Sequence, residues 1–187
     1  MRTAALSLLL IASAACSPQP AAPLPPAPAA DFPDEWFWDL GGSRAKHRPM
    51  VGAAPPPLEL TGWVGVPVTL EGLRRERQVV VVDFWATWCG PCVQSLPKMA
   101  ALANAHPDEL TVIGVHDAKR GSDRMVEVAG RAGVLYPLAV DDGGRSEKAW
   151  QVSFWPTIAV IDRDGKLRAI GLKPEHVAEA VERVLAE

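Results

Sequence analysis

Two cysteines three positions apart, Cys89 and Cys92, stand in the segment WATWCGPC. In the first turn of a helix, residues at this spacing share one face, so their sulfurs can open and close a disulfide with little backbone movement. Unpaired amides at a helix N-terminus favour a thiolate, and in redox-active C-x-x-C sites they help to lower the first cysteine's pKa from about 8.5 towards about 7. Cys89 is therefore the expected nucleophile: it attacks a client disulfide, and Cys92 resolves the mixed disulfide by attacking Cys89. The alternative is a bound metal, since paired thiolates also serve zinc and copper. A closed zinc site takes about four ligands. The chain has no second C-x-x-C, and His47, His106, His116 and His176 are dispersed. The expectation is a dithiol site with no metal and no cofactor.

Such a pair needs a buried strand before it and a helix after it. The run VVVVDFW over 79–85 is β-branched and aromatic throughout, as in a central strand covered on both faces. A helix should follow over 90–105, with Pro91 tolerated in its first turn and Pro97 bending its interior. A strand is expected over 110–115. Ser122 is placed to cap a helix whose Met125, Val128, Ala129 and Ala132 follow the helical apolar spacing. Further on, the pattern predicts a short strand at 135–140, a short helix at 146–151, a hairpin of strands 157–161 and 167–170 around DRDG, and a closing amphipathic helix over 174–187. Upstream, 58–60 and 66–70 are expected to pair as an N-terminal β-hairpin, followed by a helical turn over 73–77. The class is α/β.

The N-terminal third reads differently. Arg2 precedes an apolar run from Ala4 to Ala15, which is the anatomy of a signal peptide. The run falls short of the roughly 20 apolar residues that span a bilayer comfortably. It ends in SAAC, which places Cys16 where an exported lipoprotein carries its acylated cysteine; simple cleavage near Ala14 or Ala15 is the alternative. If Cys16 is the anchor, two of three cysteines remain, and both are in the C-x-x-C pair. Residues 17–30 are almost entirely Pro and Ala, a semi-rigid tether. Phe32, Trp36, Phe37 and Trp38 follow, either as an arm docked on the catalytic domain or as a partner-contact segment. The expected organisation is a signal peptide at 1–15, a tether and aromatic arm at 16–57, and a catalytic domain at 58–187. With 19 Lys and Arg against 22 Asp and Glu, the formal charge of -3 gives no reason to expect a nucleic-acid partner.

VVDFWATWCGPC resembles the active-site segment of thioredoxins, and residues 58–187 are similar to the exported TlpA/ResA/DsbE-like thiol-disulfide oxidoreductases. The resemblance implies a thioredoxin fold, a central mixed β-sheet flanked by helices. FWPTIAVID is similar to the family's cis-proline segment, which implies a cis Trp155–Pro156 bond facing the cysteines. Asp83 falls where thioredoxins hold a buried acid that exchanges protons with the second cysteine; the alternative is an acid solvated at a strand end. Trp88, Gly90, Pro91, Trp155 and Pro156 are the implied client-contact residues, with Trp85 in the core. Two positions depart from the pattern. Ser95 stands where many exported relatives carry an acid, and Gly114 where thioredoxins carry a lysine. His116 ends the 110–115 strand and reads as a surface histidine, with a place near the site as the alternative.

The Gly90-Pro91 dipeptide matches thioredoxin, a reducing protein, so the resemblance implies a reductase. Its implied partners are protein disulfide clients, such as apocytochrome c or copper-site thiols, and a membrane donor of thiol-disulfide type. The implied location is the bacterial periplasm. A thioredoxin-fold copper-delivery or client-binding module is a second reading, a disulfide oxidase or isomerase another, and a peroxidase of related fold is disfavoured by the complete WCGPC.

Overall fold

In the computed structural model, which describes residues 32–187, six strands form one mixed sheet. They are β1 (Leu60–Val64), β2 (Val79–Trp85), β3 (Leu110–His116), β4 (Leu138–Asp141), β5 (Thr157–Ile161) and β6 (Leu167–Leu172), in the order β1-β4-β3-β2-β5-β6. The helices are α1 (Ser43–His47), α2 (Leu70–Arg75), α3 (Gly90–Ala105), α4 (Met125–Arg131), α5 (Arg145–Ala149) and α6 (Val177–Leu185). The signal-peptide segment, Cys16 and the Pro/Ala stretch lie outside the described residues.

β2 is central and buried along its whole length, running parallel to β3 and antiparallel to β5. Its alternate side chains serve two cores. Val79, Val81 and Trp85 pack with Cys92 and Leu96 of α3 and Val181 of α6. Val80, Val82 and Phe84 pack with Leu73 of α2 and with Trp150. Burial on both faces is why this strand reads as a continuous apolar run rather than an alternating one. α3 runs unbroken from Gly90 through Pro97 to Ala105.

The N-terminal hairpin does not form. β1 stands without a 66–70 partner and pairs antiparallel with β4 instead. Pro67 has no N–H to give a ladder. Thr69 serves as a helix cap, its hydroxyl accepting from the Gly72 amide at 3.1 Å, so α2 begins at Leu70. Ser122 caps nothing; it opens a 3-10 turn after Gly121, and α4 starts at Met125. β4 starts at Leu138, because Pro137 cannot donate to the sheet and Leu135 is exposed.

The aromatic segment packs into the main core. Phe32, Trp36 and Phe37 are buried there, and Trp36 stacks flat on His176 at 5.0 Å under the Arg183 guanidinium. The segment also covers the outer edge of β6. Trp38 donates to the Gly171 carbonyl, Lys173 donates to that of Trp36, and Gly52 and Ala53 exchange hydrogen bonds with Leu167. An edge strand closed in this way offers little template for pairing with another chain. Among the described residues, no helix is long and apolar enough to cross a membrane.

Candidate active site

Cys89 and Cys92 are joined in a disulfide, with 2.06 Å between the sulfurs and 5.3 Å between the Cα atoms. β2 ends at Trp85, and the turn 86–88 delivers Cys89 to the N-cap of α3. There its sulfur accepts the Cys92 amide at 3.2 Å. Pro91 occupies the first helical turn, where no amide hydrogen is needed. The two sulfurs are not equivalent. Cys92 is fully buried, whereas Cys89 retains some exposure between the exposed Trp88 and Gly90. Of the two, only Cys89 keeps any exposed surface.

Around Cys89 the surface is aromatic. Trp88 is 41% exposed and meets Trp155 edge to face at 5.5 Å. The Trp155–Pro156 peptide bond is cis, and the ring contact sets this segment beside Trp88, the residue next to Cys89. Two residues missed in the sequence hold the platform: Asp117 Oδ2 accepts from Trp88 Nε1 at 2.9 Å, and the Arg120 guanidinium lies over the Trp88 ring at 4.7 Å. Both follow β3. A usable signal existed, since loops at the C-terminal ends of adjacent parallel strands converge on one edge of an α/β sheet.

His116 is buried, not at the surface. Its Nδ1–H donates to the Asp117 carbonyl at 2.8 Å, and its Nε2 accepts from the Thr87 amide at 3.0 Å. This pair of bonds requires a neutral ring of one tautomer. Burial lowers its pKa against the pull of Asp117 and Asp123, so neutrality is kept. Thr87 also donates its hydroxyl to the Gly121 carbonyl at 2.9 Å. Gly121 has φ +82°, and a Cβ there would collide with Thr87 Oγ1. Together these contacts fix the turn that carries Trp88 and Cys89.

Asp83 is fully buried, and neither carboxylate oxygen has a hydrogen-bond partner. By the alternation of β2 it belongs to the face that packs with Cys92. Burial pushes its pKa up to about 7. Its neighbour on β3 is Gly114. A Cβ at Gly114 would collide with Leu138 Cδ2 and lie 3.2 Å from Trp85 Nε1 and 3.3 Å from Tyr136 Cε2. A lysine does not fit there, and no cation faces Asp83 from that position. Ser95 is no substitute acid; its hydroxyl donates to the Cys92 carbonyl at 2.8 Å. Glu147, also missed, is buried, and its burial, with Asp117 and Asp141 adding to it, pushes its pKa up to about 7. Among the described residues, no three His, Cys, Asp or Glu side chains come together as metal ligands.

Residues 50–185 match the Redoxin family. Protein DipZ of Mycobacterium bovis is 31% identical over 128 residues, which is 64% of this chain and 18% of DipZ; the chain thus spans less than a fifth of that relative. The thiol-disulfide oxidoreductase ResA of Bacillus thuringiensis is 28% identical over 122 residues, covering 65% of this chain and 69% of ResA. The crystal structure of a putative thiol:disulfide interchange protein DsbE from Chlorobium tepidum is 27% identical with a TM-score of 0.54, over 71% of this chain and 96% of that one. With the mixed sheet, the C-x-x-C at the start of α3 and a family match over most of its length, the chain belongs to the Redoxin family and has a thioredoxin-like fold.

Proposed function

We propose that this chain is a thiol-disulfide oxidoreductase that reduces disulfides of client proteins through Cys89 and Cys92, exported and tethered to the membrane through Cys16. The observation that carries the chemistry is the asymmetry of the pair: one sulfur at the helix cap and within reach, the other buried on the face of Asp83. ResA is named a thiol-disulfide oxidoreductase and DsbE a thiol:disulfide interchange protein, which supports the same reaction class here.

In the reduced state the Cys89 thiolate attacks a client disulfide. A bond forms between Cys89 Sγ and one client sulfur, the client S–S bond breaks, and the second client sulfur leaves as a thiolate that takes up a proton. Cys92 then gives its proton to the Asp83 carboxylate and attacks Cys89 Sγ, which releases the first client sulfur and restores the Cys89–Cys92 disulfide. Two electrons pass to the client, and the dithiol is regenerated by a second thiol-disulfide donor. An acid with a pKa near 7 suits this task, because it accepts and returns a proton near neutral pH. Trp88 and Trp155 offer the client a flat apolar rest, with Gly90, Pro91 and Pro156 alongside.

The Gly90-Pro91 dipeptide favours the reducing direction, and the signal-peptide pattern followed by SAAC supports export and lipidation at Cys16. Clients in cytochrome c maturation or copper-site assembly fit a reductase of this location. The redox midpoint potential of the full chain carrying Cys16→Ser, titrated against a thiol-disulfide buffer, tests the direction. A value of about -250 mV or lower supports a reductase, and one of about -150 mV or above would make it an oxidase or isomerase.

A further inference from the structure

Among the described residues, nine buried side-chain nitrogen and oxygen atoms lack a hydrogen-bond partner, and four of them belong to Asp83, Trp85 and Tyr136. They gather around Gly114. Asp83 lies beside it in the parallel β2–β3 register, where neighbouring strands run about 4.8 Å apart. Trp85 Nε1 and the Tyr136 ring edge border the point where a Cβ would sit, and the Tyr136 hydroxyl is two bonds beyond the bordering Cε2. Orphaned polar atoms are scarce in folded proteins, so three such residues around one glycine ask for a common explanation. The three residues present an acceptor without a donor and two donors without an acceptor.

In the oxidised protein Trp85 Nε1 is the one other side-chain donor among the groups named around Asp83. β3 offers Gly114, β5 offers Ile158 in register, and α3 contributes Cys92 and Leu96 to the same core. Burial alone accounts for the shift of Asp83, with no charged group contributing. Tyr136, by contrast, responds to Asp83: burial, and after it the carboxylate charge, holds its phenol protonated far above neutral pH. The phenol is thus a donor at every pH at which the site works.

We propose that Tyr136 is a positioning residue for the redox pair: its hydroxyl donates to the Asp83 carboxylate across one water molecule, and so sets the acidity of the group that takes the Cys92 proton. A donor aimed at the ionised form favours that form. A bridging water serves nearly as well as direct contact. This inference rests on Asp83 serving as the proton acceptor for Cys92.

The test uses the full chain, oxidised so that neither cysteine of the pair titrates. Tyr136 is the only tyrosine in the sequence, so 3-fluorotyrosine enters at this site alone. The Asp83 carboxyl resonance, assigned by its loss in Asp83→Asn, is followed by carbon NMR against pH. Tyr136→Phe is expected to move its midpoint up by about one pH unit. Fluorotyrosine, a stronger donor of nearly the same size, is expected to move it down, and its fluorine resonance should step at the same midpoint and lose that step in Asp83→Asn. An Asp83 midpoint unchanged by both substitutions overturns the proposal, and the fluorotyrosine arm stands even if the Phe variant does not fold. Failure of the underlying reading shows separately: if Asp83→Asn leaves the pH profile of client reduction unchanged, Asp83 is not the proton acceptor, whatever the resonances do.

Discussion

Replacing Asp83 by Asn should stabilise the oxidised protein increasingly as pH rises. The folded chain holds the Asp83 proton up to about pH 7, against an ordinary value of 3.8. As pH rises between these two values, the unfolded chain releases the proton while the folded chain keeps it, so stability falls by about 1.4 kcal/mol per pH unit. Above the folded value the full cost is present; below 3.8 both states are protonated and the cost vanishes. About three pH units at 1.36 kcal/mol each give about 4 kcal/mol as the upper bound above neutrality. Asn cannot ionise and escapes this cost. It keeps only a pH-independent penalty for a buried amide without partners. Urea unfolding of the oxidised full chain and of Asp83→Asn at about pH 4, 6 and 8 gives the difference curve in which the other titrating groups cancel. The difference should grow with pH by several kcal/mol. A flat difference would refute the reasoning, because it would mean that the folded chain releases the Asp83 proton as readily as the unfolded one.

Other consequences are local. His116→Ala removes the acceptor of the Thr87 amide and should cost about 1–3 kcal/mol in urea unfolding. Because burial lowers the folded pKa of His116 from 6.5, its contribution is present above that value and lost as pH falls towards the folded one. His116→Ala should therefore flatten the acid side of the melting-temperature profile. Trp36→Ala should cost about 3–5 kcal/mol, measured by urea unfolding, since the ring is buried in the main core; a loss under about 1 kcal/mol would mean that the aromatic segment contributes little. Trp88→Ala should raise KM for a protein client and leave turnover of a small-molecule disulfide nearly unchanged; equal losses on both would place Trp88 in the chemistry rather than in client contact.

The strand-turn-helix that presents the cysteines was legible because its signals are local. Four consecutive valines, an acid among apolar neighbours and Pro91 at the helix start all point to Val79–Trp85 and Gly90–Ala105. Asp83 was readable from its flanks, Val82 and Phe84. What the sequence obscured depends on contacts distant along the chain. β1 resembled half of a hairpin, but its partner, β4, lies more than 70 residues away. His116 looked superficial because the Thr87 amide that it holds arrives from another loop. Asp117 and Arg120 carry no motif; they matter because parallel strands bring their loop ends to the Trp88 ring. Tyr136 became visible only through Gly114, where a missing side chain leaves room for its ring edge.

The most direct test of the central claim is to trap the exchange intermediate. With Cys16→Ser as background, Cys92→Ser removes the resolving sulfur, and reaction of the reduced variant with a disulfide-containing client should accumulate an adduct through Cys89 that a small thiol releases. Cys89→Ser should accumulate none, since Cys92 is fully buried. An adduct formed as readily by Cys89→Ser as by Cys92→Ser, or none in Cys92→Ser while the parent turns the client over, would contradict the assignment of Cys89 as nucleophile.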